Sequence, residues 1–338
     1  MRVPHGGTDA GPPPRVDAST NANPLGPSPA ARAALAAVDL GPYPDPDATA
    51  VRAALAVHHG LDPDGVVVGA GATELVDRLV RVVGGPVLTE AETFGEYAGA
   101  AARHGYGVVR ADGPEAFLAA LDDAAVAFVP SPGSPDGRVR DAAWCDAVAE
   151  RAAATGTVLV WDLAYAPLAD VPVPLPAGAV ALHAPNKAHG CTGIRAGWLA
   201  APAALAGRLR DAEVTWVTSA LGLAFLAATA TPDADAWVAG CLPTLRAWRD
   251  HLAAGLTDLG LAVAPSDAPF VTVDVGDDAP AVAARLRERH GVKVRDTTSM
   301  GRPGAWRVAA RPPEEMNLLL AAVATELDTA REVRACVR

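Results

Sequence analysis

The chain has 338 residues, half of them hydrophobic, and a formal net charge of -11 at pH 7. That length can bury a large core and still leave room for a smaller second body, and acidic charge spread without a basic stripe argues against nucleic acid as a partner. No run of about 18 apolar residues suggests a membrane span, and four scattered cysteines, Cys145, Cys191, Cys241 and Cys336, with no CxxC pair, argue against a zinc site or a disulfide framework and read as packing residues.

In chain order, residues 1–40 read as an irregular arm in which PPP and NANPLGPSP are extended or turn segments, followed by a short helix near 29–38. The start, MRVPHGGTDAGPPPR, lacks the apolar middle of a signal peptide, so the cytoplasm is the expected address. From about residue 50, helical patterns alternate with Val- and Leu-rich runs at 66–70, 86–90, 106–111, 126–130, 157–162, 180–184 and 196–201. Strands apolar on both faces predict a mostly parallel sheet covered by helices. The pattern from about 203 to 260 is helical, with one long stretch over 233–259. Beyond it FVTVDV, a helix near 280–290, VKVRDT, AWRVAA and a last helix from 312 alternate on a smaller scale, as a compact α+β body does. The predicted class is therefore α/β: an arm over 1–40 that joins the small domain, a large domain over 41–210, and interdomain helices with the small domain over 211–338.

Ligands of open α/β sheets bind beyond the carboxyl ends of the strands, and the residues there form a coherent set. After the first run, GATELV (71–76) is a Gly-bearing turn into a helix, whose free N–H groups and positive dipole end suit a phosphate; it also reads as an ordinary helix start with Thr73 near the cap. SPGSPDG follows the run at 126–130. The run at 157–162 ends in Asp162, with Tyr165 three residues on. After 180–184 come Pro185, Asn186 and Lys187, and Arg195 lies eight residues past the lysine. This lysine is conspicuous because the chain holds 26 arginines and only two lysines, Lys187 and Lys293. Pyridoxal 5'-phosphate explains the set jointly: the lysine amine forms a Schiff base, the aspartate pairs with the ring nitrogen, the tyrosine donates to the ring oxygen and an arginine grips the phosphate. Arginine cannot replace the lysine, because its guanidinium stays protonated and delocalised. Singly, each signal is weak: a strand-end Asp is commonly a cap, a Tyr packing, an Arg a surface residue. No metal is expected.

The order and spacing of these motifs resemble fold-type-I pyridoxal-phosphate enzymes of the histidinol-phosphate aminotransferase and threonine-phosphate decarboxylase group, over nearly the whole chain. DASTNANPLGPSP with YPDPD resembles the group's amino-terminal arm and dimer contact, GAGATEL its phosphate turn, and TFGEY its ring-stacking segment. PSPGSPDG resembles its Asn-Pro-Thr-Gly turn, DLAY its Asp-x-x-Tyr, NKAHGCTGIRAGW its lysine segment and WRVAARPPEE its carboxylate-binding arginine strand. The resemblance implies an aspartate aminotransferase-like fold, with Lys187 as Schiff base and proton shuttle, Asp162 on the pyridine nitrogen and Tyr165 on the ring oxygen. It places Phe94 on the ring, and Gly71, Ala72, Thr73, Asn186 and Arg195 around the phosphate. Tyr43 is expected to reach the neighbouring subunit's site in an obligate homodimer, Arg307 to clamp the substrate carboxylate, and Asn23 to sit in the arm that closes over the substrate. Two departures stand out: Ser134 takes the position where the group has an Asn beside the ring oxygen, and Ala184 and Asn186 replace serines before the lysine.

The expected reaction is transamination of an amino acid or amino-acid phosphate. HGG at 5–7 resembles the opening of the decarboxylase branch, and Arg295 is placed like that branch's second phosphate-binding arginine, so a decarboxylase releasing CO2 is the alternative reading. His5 is also readable as part of an unstructured tail, and Arg295 as the ion-pair partner of Asp296. A non-catalytic protein of this fold that only binds ligand is a third reading.

Overall fold

The computed structural model describes residues 3–336, with side chains through residue 328; the expectation for Cys336 therefore lies outside the described side chains. Its main sheet has seven strands in the order Val66–Gly69, Gly197–Ala200, Val180–His183, Val158–Asp162, Val126–Pro130, Val87–Glu90 and Val108–Ala111. All run parallel except Gly197–Ala200, which is antiparallel to both neighbours. The segment before it, 184–196, holds only the four-residue helix Pro185–Ala188 and turns straight back without a crossover helix over the sheet.

Helices cover both faces. One face packs Leu75, Val76 and Leu79 against Val126, Phe128 and Val160; the other packs Phe117, Cys145 and Val148 against Ala127, Leu159 and Trp161. Local chemistry starts the helices: Ser28 accepts from the backbone N–H of Ala31 to cap Pro29–Ala36, and Asp141 accepts from that of Trp144 to cap Ala142–Thr155. The helical stretch expected over 203–260 is three helices, Ala203–Asp211, Ala220–Thr229 and Pro232–Asp258. The break before the second includes Trp216, whose φ of 62° lies in the left-handed region.

A second, antiparallel sheet orders Arg295–Asp296, Ala305–Ala309, Phe270–Asp274 and Ala262–Val263. The arm is divided: Val16–Asp17 pairs in parallel with Val292–Lys293, and Val16 and Ala18 sit in one core with Leu252, Val271, Trp306 and Leu319, whereas from Asn23 on it lies on the lysine segment, and Ala31 packs with Val51, Val66 and Phe225. Pro232–Asp258 spans both bodies, with Leu252 and Leu256 in this core and Val238, Cys241 and Leu245 packed on Leu168 and Ala188. Cys145, Cys191 and Cys241 are buried and free.

Candidate active site

The strands of the main sheet end at a common edge. Register aligns Pro130, Asp162 and Leu182 across three neighbours, so the turn after Val126–Pro130, the Asp162 carboxylate and the lysine segment arrive side by side. They open on a cavity of about 180 Å³ whose lining includes His5, Asn21, Phe94, Tyr97, Ser134, Asp162, Tyr165, Lys187, Arg295 and Arg307.

Lys187 sits in the short helix after Val180–His183, its Nζ 3.9 Å from the centroid of the Tyr165 ring. Burial alone would raise the Tyr165 pKa, but the charges of Lys187 and Arg307 more than offset it, and it lies below the ordinary tyrosine value. Asp162 is buried and doubly held: Oδ1 accepts from the backbone N–H of Ala164 at 2.9 Å, and Oδ2 accepts from Tyr97 Oη at 2.7 Å. Burial and the Asp162 charge push the Tyr97 hydroxyl well above its usual range, so it remains a donor. Tyr97 in turn stacks on Phe128, with centroids 4.6 Å apart, and meets Phe94 edge-on at 5.5 Å.

At the far side of the cavity, Arg295 and Arg307 face each other as a cross-strand pair. Both are buried, and among the described residues neither has a carboxylate partner. Arg307 donates from Nη1 to Ser134 Oγ at 2.8 Å and from Nη2 to the Ser19 carbonyl at 3.2 Å. Arg295 donates to the Pro4 carbonyl and to Ser299 Oγ, both at 2.7 Å. The Nε of each is buried without a partner. Burial holds both guanidinium pKa values below the ordinary arginine value, and for Arg295 the neighbouring Arg307 charge adds to it. Like charges opposite each other in a sheet repel, so the pair is organised to receive anions. The reading of Arg295 as partner of Asp296 does not hold: the Asp296 carboxylate accepts from the N–H and hydroxyl of Thr298, each at 2.7 Å.

A separate cup forms where Ala72–Val83 begins. Gly71 precedes this helix at φ 93°, and no side chain caps it. That φ is one L side chains rarely adopt, and the missing Cβ, which would stand 2.7 Å from Arg195 Nη2, leaves room for the guanidinium over the helix start. Free N–H groups at a helix start beside an arginine make an anion seat. Arg195 also donates to the carbonyl of Thr192, which lines the main cavity. Asn186 is buried nearby in sequence, its Nδ2 on the Ile194 carbonyl and its Oδ1 without a partner.

His5 is part of the site, not a loose tail: its Nε2 lies 2.6 Å from Glu96 Oε1, and its ring is 5.8 Å from that of Phe94. Asn23 requires correction. Its Nδ2 donates to the Ala188 carbonyl and its Oδ1 accepts from the Leu25 N–H, so its amide pegs the arm to the lysine segment and does not reach the cavity. The residue that does is Asn21, whose buried amide faces Tyr165 and helps to lower its pKa. Tyr43 is also absent from the cavity of its own chain, 79% exposed and stacked on Trp216 at 4.5 Å. Sequence reasoning missed Tyr97, Glu96 and Asn21. The signal for Tyr97 was its place three residues after Phe94; for Asn21 there was none, because a two-residue period puts Asn21 and Asn23 on the same side. No group of three or more potential metal ligands occurs among the described residues.

The family model for aminotransferase class I and II matches residues 14–323. Among curated relatives, the histidinol-phosphate aminotransferase of Thermobifida fusca is 34% identical over 91% of this chain and 89% of its own length. That of Ruegeria pomeroyi is 31% identical over 87% and 86%. Among solved structures, histidinol-phosphate aminotransferase from Sinorhizobium meliloti in complex with pyridoxal 5'-phosphate superposes with a TM-score of 0.85 at 27% identity, covering 94% of this chain and 92% of the other. L-threonine-O-3-phosphate decarboxylase from Porphyromonas gingivalis shares the fold, with a TM-score of 0.79 at 20% identity over 93% and 99%.

Proposed function

The chain belongs to the class I and II aminotransferases and is a pyridoxal-phosphate-dependent aminotransferase, and from that premise we propose that its substrate is an amino acid or amino-alcohol carrying a phosphate close to the reacting amine. The observation that carries this reading is the buried, unpaired pair Arg295 and Arg307 facing Lys187 across one cavity.

The residues present fit the cofactor. The Gly71 turn with Arg195 offers the phosphate seat, Asp162 offers a buried carboxylate for the ring nitrogen, and Phe94 offers a ring face at the same cavity. Bound through its aldehyde, the cofactor supplies an electron sink for the bonds at the substrate's reacting carbon. The chain's own groups do the rest. Tyr97 Oη and the Ala164 N–H fix the Asp162 carboxylate, which would accept from the ring nitrogen of the bound cofactor. Arg307 meets an incoming anion with its free Nε edge, and its bond to Ser134 Oγ leaves that hydroxyl's proton free to donate to the same anion. Lys187 Nζ, over the Tyr165 ring, is the group placed to take a proton from the reacting carbon and return it. Phe94, Met300 and the arm residues 19–22 keep water from the reacting face.

The working unit in this proposal is a cytoplasmic homodimer, with Tyr43 completing the partner's site. A half-reaction experiment tests the function: the loaded enzyme is mixed with L-glutamate, O-phospho-L-threonine or L-histidinol phosphate while absorbance and CO2 are followed. Conversion of the cofactor to its amine form by a phosphorylated amine in preference to glutamate, without CO2, is the expected result. CO2 release, or a preference for unphosphorylated amines, overturns the reading.

A further inference from the structure

Residues 3–12 run as a strap from the large body to the small one. At one end the two methyls of Val3 lie where Gly95 and Gly99 leave a notch in the helix Glu96–Arg103 and its start; a Cβ on either glycine would come within 2.8 Å of them. The Pro4 carbonyl accepts from Arg295, the Gly7 N–H donates to Ser19 Oγ at 2.9 Å, and Lys293 holds the Gly7 carbonyl and the Asp9 carboxylate. Gly6 has no alternative as a residue, since a Cβ there would stand 2.2 Å from the Ser19 carbonyl. Between these anchors only His5 turns its side chain to the cavity, and one group holds it there: the carboxylate of Glu96, itself buried and not part of the lining. The other oxygen of Glu96 accepts from Arg103 at 3.1 Å, so the carboxylate is fixed from behind.

We propose that Glu96 is a specificity-determining positioning residue: by fixing the His5 ring at the cavity wall shared with Arg295, it makes the enzyme select substrates whose second group is a phosphate. The inference rests on the substrate reading above and adds a residue and a mechanism to it. An imidazole held at Nε2 by a carboxylate keeps a fixed direction, and a dianion beside it favours the imidazolium form, whose Nδ1–H is then a second donor. A dianion that reaches both Arg295 and His5 gains a donor that a monoanionic or uncharged side chain has no acceptor for. Because Pro4 occupies part of Arg295, the strap and the anion share one guanidinium, and ordering of the strap is coupled to what fills the cavity.

The test compares kcat/KM for a phosphorylated amine with that for L-glutamate in the wild type, in Glu96→Gln, in His5→Ala and in the double variant, all as loaded enzymes. Glu96→Gln keeps the shape and removes the charge; it is expected to lower the phosphorylated-to-unphosphorylated ratio about tenfold, through KM more than kcat, the size of one lost charge-assisted hydrogen bond. Since Glu96 acts through His5, the double variant should match His5→Ala and not multiply the two effects. Backbone amide exchange of residues 3–9, measured with and without inorganic phosphate, adds a readout independent of turnover: phosphate should slow it in the wild type and not in Glu96→Gln. An unchanged ratio and unchanged protection in Glu96→Gln, or multiplicative effects in the double variant, overturn the inference while leaving the substrate reading intact. A wild type with no preference for phosphorylated amines overturns both.

Discussion

At the scale of single residues, the site is a set of buried polar groups whose partners are either fully used or deliberately missing. Asp162 is the fully used case: Tyr97→Phe removes the donor to Oδ2 and leaves a buried carboxylate oxygen with one partner fewer. The expected outcome is a stability loss of about 1–3 kcal/mol and a slower half-reaction with little change in KM, read by thermal melts and single-turnover absorbance. Arg307 is the opposite case, a buried charge with no carboxylate. Because an uncompensated buried charge destabilises and an apolar replacement of similar size often does not, Arg307→Met should melt at a temperature equal to or above that of the wild type while substrate binding falls by at least about a hundredfold, the size of a lost bidentate clamp. A lower melting temperature in the unliganded protein would show that the guanidinium is stabilised by its hydroxyl and carbonyl contacts alone. Lys187, Asp162 and Tyr165 were legible in the sequence because strand-end position and spacing expose them. Tyr97 and Glu96 were not: they lie in a helix whose apolar face makes a tyrosine look like packing and a glutamate like a solvated residue, and only the tertiary contacts with Asp162 and His5 reveal their use.

At the scale of elements, the lysine segment carries its own turn hydrogen bonds and is also braced from behind. His189 is buried, its Nδ1 3.0 Å from Ser28 Oγ and its ring stacked on Trp237 at 6.0 Å. Burial pulls its pKa down to about 4, below the ordinary value near 6.5 that the unfolded chain has. The unfolded state therefore binds more protons between those values, so the contribution of His189 is complete above about pH 6.5 and is lost as the pH falls toward 4, amounting to up to about 3 kcal/mol. Melts from pH 7.5 to 4.5 should show this slope in the wild type and a flatter one in His189→Gln; parallel slopes would assign acid sensitivity elsewhere. The elements themselves were largely readable, since Val-rich runs and capped helices follow local rules. The reversed strand Gly197–Ala200 was not, because a strand's direction is set by the path of the chain before it and not by its own composition. Nor was the break before Ala220–Thr229, where the helical pattern of 203–260 hides a turn.

At the scale of the whole molecule, one surface is left open. Tyr43 and Trp216 stack on each other while 79% and 47% exposed, and Leu40 and Val214 nearby in sequence are 74% and 71% exposed. A strained, left-handed Trp216 backbone persists where the surroundings over-determine it, and a large exposed apolar group of this kind marks an interaction surface. Sedimentation velocity should give a dimer for the wild type, and Tyr43→Glu combined with Val214→Glu should give a monomer that loses cofactor on dilution; a wild-type monomer with full activity would remove Tyr43 from the shared-site proposal. The scarcity of lysine has a last, practical consequence. Of the two amines on side chains, Lys293 is tied to Asp9 and the Gly7 carbonyl, and Lys187 points into the cavity. Amine-directed reagents such as succinimidyl dyes, aldehyde fixatives or activated resins thus find almost no harmless target on this protein. Each hit on a side-chain amine either silences the enzyme or unfastens its strap, so probes and supports are better attached through an engineered surface cysteine.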